Sequence, residues 1–150
     1  MIFDRTQNDV DTAIVLMREK VQKFQELTEA EIAILEKGMI TVNTINRIDD
    51  TTATIKGLIN EMGYWNTPDK TSGEWASSHI FKKNHLQTLI DNINILRQAF
   101  FVYNDTPSTP PVSYHWEDIN ALEKILYDLD VMINDVKSNY RESGTFESGE

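Results

Sequence analysis

The amino-acid sequence predicts an all-α fold: a bundle of four long helices plus one short helix, with a long loop after the second long helix and an extended C-terminal tail. Three observations carry this. Apolar residues recur at steps of three and four along four separate stretches, helix start and stop signals bracket several of them, and three of the long helices share one pattern of apolar and amide positions.

The first helix is expected from about Thr6 to Phe24. Thr6 followed by Asp9 makes a box-like start, and Val10, Ala13, Ile14, Met17, Val21 and Phe24 mark one face. Thr28-Glu29-Ala30-Glu31 is a strict capping box, and with Ile32, Leu35 and the terminating Gly38 it predicts a short bridging helix. The second long helix has both ends written in. Thr41 serves as N-cap, Ile40 and Ile45 form a hydrophobic staple, and Gly63 supplies the left-handed residue that stops it. Between them Ile45, Ile48, Thr52, Ile55, Ile59 and Met62 share one face.

The stretch from Tyr64 to Ser78 holds Pro68, Gly73 and turn formers without a sustained period, so it reads as a loop. Its Tyr64, Trp65 and Trp75 either fold back over the end of the bundle or form an aromatic platform for a sugar or a protein. The third long helix begins around Phe81 to Leu86, carries Leu86, Leu89, Ile93, Leu96, Phe100 and Tyr103, and is broken by Pro107, Pro110 and Pro111. The last runs from about His115 to Lys137 with Ile119, Leu122, Leu126, Leu129, Ile133 and Val136 on its face. Residues 1–139 form one domain, and the polar segment from Tyr140 to Glu150 is expected to be extended or disordered. The expected core is Val10, Ile14 and Met17 of the first helix, Ile45, Ile48, Ile55 and Ile59 of the second, Leu86, Leu89, Ile93 and Leu96 of the third, and Ile119, Leu122, Leu126, Leu129 and Ile133 of the last.

The long helices superpose on one another in sequence. Ile45, Leu86 and Ile119 correspond, as do Ile48, Leu89 and Leu122, then Ile55, Leu96 and Leu129, then Ile59, Phe100 and Ile133; Asn46, Gln87 and Asn120 put an amide at one fixed place. The first helix fits this pattern less well. The pattern predicts helices packed side by side around one core rather than a solenoid.

A formal charge of -10, with no stripe of basic residues, disfavours nucleic acid as a partner. No apolar run approaches the roughly 20 residues that span a bilayer, and the N-terminal residues lack the features of a secretion signal, so no membrane role is expected. The chain has no cysteine, which removes disulfides, thiolate metal sites and Cys nucleophiles. His79, His85 and His115 lack the spacing that puts two ligands on one helical face. No phosphate loop or nucleophile elbow is present, and Asp49-Asp50 and Asp128-Leu129-Asp130 are acidic pairs of the kind helices carry on solvated faces. The chain is therefore expected to be no enzyme, with no cofactor, no metal and no small-molecule ligand.

Several phrases occur together in a fixed order: Asp4-Arg5-Thr6-Gln7-Asn8-Asp9-Val10-Asp11, Leu27-Thr28, Gly38-Met39, Thr44-Ile45-Asn46-Arg47-Ile48-Asp49, Asn92-Ile93-Asn94-Ile95-Leu96, Asn120 through Asp128, and Ser143-Gly144-Thr145-Phe146. This order resembles a family of small helical proteins and C-terminal modules of phages and prophages of Gram-positive bacteria, found among minor structural, tail and baseplate components. Where that family's pattern has Leu-Asn-Arg-Ile-Glu, this chain has Ile45-Asn46-Arg47-Ile48-Asp49. The resemblance implies a non-enzymatic structural or interaction module of a virion, associated with the tail or baseplate and made in the bacterial cytoplasm. It implies other phage structural proteins as partners and allows a homo-oligomer, and it brings no active-site residue. The alternatives are a carbohydrate-binding accessory domain and a prophage regulatory protein that binds a partner. Candidate contact residues for a partner or glycan are Tyr64, Trp65, Trp75, Trp116, Tyr140 and Phe146; on the tail, Phe146 either tucks back against its own bundle or, with Tyr140, docks onto a neighbouring subunit.

Overall fold

A computed structural model of the chain describes residues 1–63 and 82–147, with 140–147 described as backbone. The described residues form helices and connecting segments, in the order α1 (Gln7–Leu16), continued by a π-helical turn (Met17–Val21), α2 (Glu29–Gly38), α3 (Val42–Glu61), α4 (Lys83–Ala99) and α5 (Trp116–Glu147). Thr6, Thr28 and Thr41 each close a capping box at the start of a helix, the hydroxyl accepting from the N3 amide and the N3 side chain accepting from the cap's own N–H. Gly63, with φ of 88°, stands in the left-handed conformation just past α3.

The core is built by α3, α4 and α5. Every core residue expected on them is buried, together with Ile90, Phe100 and Ile125, while Met62, Tyr103 and Val136 at the ends of the expected faces are partly buried. Among the buried positions, one regularly spaced set runs along each helix: on α3, Ile45, Ile48, Thr52, Ile55 and Ile59; on α4, Leu86, Leu89, Ile93 and Leu96, then Phe100 at its C-cap; on α5, Ile119, Leu122, Leu126, Leu129 and Ile133. Each set advances by three, four, three and four residues, the a/d seam of a coiled coil, and isoleucine at both seam positions of α3 suits three strands.

The three helices run in the same direction. Arg47 Nη2 lies 2.5 Å from Glu123 Oε1, and Lys137 Nζ lies 3.8 Å from Glu61 Oε2, so α3 and α5 keep one offset over two heptads. The link from α4 to α5 is an extended strap that lies antiparallel to both helices. Tyr103 donates to Asp135 (3.2 Å) and Thr106 to Asp128 (2.6 Å), while Arg97 donates to the Pro107 carbonyl (3.0 Å) and Thr109 to Asn94 (2.9 Å). This strap explains why α4 stops at Ala99, short of the expected Tyr103: Phe100 is already extended at φ −137° and the chain has turned back.

Three expectations are corrected. Asp49 and Asp128, expected on solvated faces, are buried, Asp128 beneath the strap whose Thr106 donates to it. Val10, Ile14 and Met17 are only partly buried, because α1 packs on α2 outside the three-helix core and buries Ala13 alone. The weaker match of the first helix to the shared pattern has this physical counterpart. The tail is not extended over 140–147, where the backbone continues α5. Helical hydrogen bonding is satisfied within the segment and does not require burial of its side chains. Residues 148–150 lie outside the described residues.

Candidate functional site

At the N-terminal end of the bundle the first six residues form a second strap, again antiparallel to α5. Phe3 packs on Tyr127 at 4.9 Å between ring centroids, with Lys124 Nζ 5.3 Å from the Phe3 ring. Asn120 donates to the Arg5 carbonyl (3.0 Å) and accepts from Arg5 Nη1 (3.2 Å). Glu123 is fully buried and accepts from Arg5, from Arg47 and from the Ile2 backbone N–H. Burial pulls the Arg5 guanidinium below its ordinary pKa, opposed by the Glu123 carboxylate. The amide shared by Asn46, Gln87 and Asn120 thus has different uses, since Gln87 donates to Asp91 on the surface.

The strap delivers the chain into α1, and α1 with α2 forms an antiparallel hairpin. Its base is tight, for a Cβ on Gly38 would stand 2.2 Å from the Asp9 carbonyl oxygen and 2.5 Å from Ala13 Cβ. Lys37 bridges to Asp9 at 3.5 Å near the base, and Lys20 bridges to Glu31 at 2.8 Å further out. The Thr6 N–H holds the Asp9 carboxyl below the usual carboxylate range, and Lys20 does the same for Glu31.

The outer part of this hairpin displays apolar side chains. Val15, Val21, Ile32 and Ile34 are exposed, and Phe24 at the tip is 97 % exposed. Phe24 also sits at φ 54°, in the position of a Schellman motif that usually takes glycine: its N–H donates to the Val21 carbonyl and that of Gln25 to the Lys20 carbonyl. A groove of about 400 Å³ runs between the helices, lined by Val15 and Leu16 on one wall and Ile34 on the other, with Asp11, Glu19 and Glu31 among its polar lining. Periodicity carried one signal of this face. Val15 falls off the stripe set by Val10, Ala13, Ile14 and Met17, so an apolar residue had to point away from whatever that stripe covers.

On another side, Val10, Ile14, Gly38 and Met39 of the hairpin and Tyr114, His115 and Trp116 at the start of α5 line a groove of about 430 Å³. Trp116, a candidate contact residue, is half-buried here; its indole N–H donates to Gln7 Oε1 (3.1 Å) and its ring stacks on His115 at 5.6 Å. Tyr64, Trp65 and Trp75 lie outside the described residues. Tyr140 and Phe146 lie on the last turns of α5, where only backbone is described. Among the described residues no group of three or more His, Cys, Asp or Glu could hold a metal ion, and no helix is long and apolar enough to cross a membrane.

No protein-family model, curated protein or solved structure matches the chain.

Proposed function

We propose that this protein is a non-enzymatic structural or interaction module of a bacteriophage or prophage virion, associated with the tail or baseplate. The observation that carries the interaction half of this reading is the hairpin. A closely packed three-helix core holds a helical pair whose outer residues, Phe24 and Val15 foremost, leave apolar surface uncovered, and such surface marks contact sites. The phage half rests on the ordered phrases from Asp4 to Phe146. Labelled antibody and negative-stain microscopy of purified particles tests it: the protein should be found at the tail. Abundance in infected cells with absence from purified particles would rule the assignment out.

A second reading is favoured by one feature, the grouping of Tyr114, His115 and Trp116 around the 430 Å³ groove, which matches the aromatic surface a carbohydrate uses. Binding on a glycan array that is lost in Trp116→Ala would favour it over the first.

A further inference from the structure

We infer that the exposed side of α1 pairs with α1 of a second copy of this chain, antiparallel about a two-fold axis near Val15. Asp11 and Val15 of α1 and Arg18 in the first residues of the π-helical turn that continues it are all exposed and follow one another at steps of four and three residues, so they share the outer side of the helical run. Val15 stands close to midway between an acid and a base. Two such helices laid antiparallel across Val15 bring Asp11 of each against Arg18 of the other, and a parallel arrangement would set like charges together. Among the described residues Asp11 has one polar partner, the uncharged Gln7 amide at 3.0 Å on its own helix. The charge distribution of the whole helix agrees. Asp9 and Asp11 lie in its first half, and Arg18, Lys20 and Lys23 outnumber Glu19 in and after the π-helical turn; Asp9 and Lys20 are paired within the hairpin, which leaves Asp11 and Arg18 as the charges flanking Val15.

The apolar part of the surface fits the same occupant. Val15 is 51 % exposed and borders the groove with Ile34, so the Val15 of one copy meets the Val15 and the groove wall of the other. Within the hairpin only Ala13 and Gly38 are fully buried, with Val10, Ile14, Leu16, Met17 and Leu35 partly so. Helices of this length are marginal in water unless an apolar face is covered, and joining two hairpins makes a four-helix arrangement that covers both.

This inference rests on reading the hairpin as an assembly surface and is independent of the virion assignment. The test is sedimentation of the full chain over a range of concentrations, for the unaltered protein, Asp11→Arg, Arg18→Asp and the double variant carrying both. The expected result is a reversible dimer that either single change weakens by at least roughly tenfold, since each creates like-charge pairs across the axis, and that the double variant restores. All of the changed residues are exposed, and far-ultraviolet circular dichroism checks that each variant keeps its helices. A monomer at all concentrations, a dimer indifferent to the single changes, or no recovery in the double variant would overturn the pairing. Val15→Asp separates the two readings: if the protein is monomeric yet Val15→Asp abolishes its incorporation into particles, the hairpin is an assembly surface for a different partner and self-pairing is wrong.

Discussion

Replacing Glu123 by Gln tests the strap at its most demanding point. The Glu123 side chain is fully buried and that of Arg5 is 2 % exposed, while Arg47 is 25 % exposed. The substitution keeps the volume and removes the charge, leaving the Arg5 guanidinium buried with its carboxylate gone; Arg47 can turn part of its surface to water. Breaking a buried ion pair by removing one partner costs about 3–5 kcal/mol. For a chain of this length that corresponds to a fall in melting temperature of roughly 6–20 °C, at about 2–4 °C per kcal/mol. Urea denaturation followed by circular dichroism should show the midpoint moving with the slope unchanged. The companion variant replaces Arg5 by Met and Glu123 by Leu together, and it should recover part of the loss, because the buried Arg5 charge goes with its carboxylate while Arg47 and the Ile2 N–H still lose their acceptor. A loss below about 1 kcal/mol in Glu123→Gln, on the scale of surface pairs, would refute the account of Glu123 as the buried anchor of the N-terminal strap.

Leu122→Ala removes a side chain that is 1 % exposed in the middle of the α5 seam and should cost about 2–5 kcal/mol in the same denaturation experiment. Gly38→Ala forces the Asp9 carbonyl and Ala13 apart at the hairpin base; a loss of about 1–3 kcal/mol is expected, with faster amide exchange confined to α1 and α2. Phe24→Gly relieves a left-handed backbone that L-residues adopt at a cost of about 1–2 kcal/mol, so thermal melting should show an unchanged or raised stability although a large side chain is lost. Acidification should loosen the hairpin before the core. Asp9 and Glu31 have folded pKa values below their unfolded ones, so the stability they contribute is fully present above the ordinary carboxylate range and is lost as pH falls below it through the lowered folded values; hairpin amides followed by hydrogen exchange should lose protection first.

The helix starts at Thr6, Thr28 and Thr41 were legible because a capping box is a contact between residues three apart. The seam from Ile45 to Ile133 was legible for a similar reason, since a heptad is written along one helix. The shared direction of α3, α4 and α5 was not, because a seam reads the same whether its partner runs up or down. That information lies in contacts such as Arg47 with Glu123 and Thr106 with Asp128, between residues far apart in sequence. Arg5 was hidden among polar neighbours in Asp4-Arg5-Thr6, and its burial follows from tertiary contact with Asn120 and Glu123. Glu123 did leave a trace, standing among Leu122, Ile125 and Leu126, all of which are buried. Of the contact residues expected from sequence, Trp116 is described in full and half-buried, whereas the outer face of α1 and the tip at Phe24 came from the structure.

Parallel helices must be joined by segments that travel the full length of the bundle, and this has a kinetic consequence. In an up-and-down bundle each helix meets its sequence neighbour across a short turn, so most contacts are local and folding is fast. Here the chain leaves α4 at Phe100, returns through Thr106 and Thr109 to the far end, and only then enters α5, whose partner Arg47 lies 76 residues upstream of Glu123. Met1 to Thr6 settle on α5 more than one hundred residues away in sequence, as the separation of 115 between Arg5 and Asn120 shows. Such wide loops must close before any of these contacts forms, and folding rates fall as the mean sequence separation of contacts rises. Stopped-flow refolding of this helical protein should therefore be slow for its helix content, closer to that of mixed α/β domains than to that of antiparallel bundles of equal size.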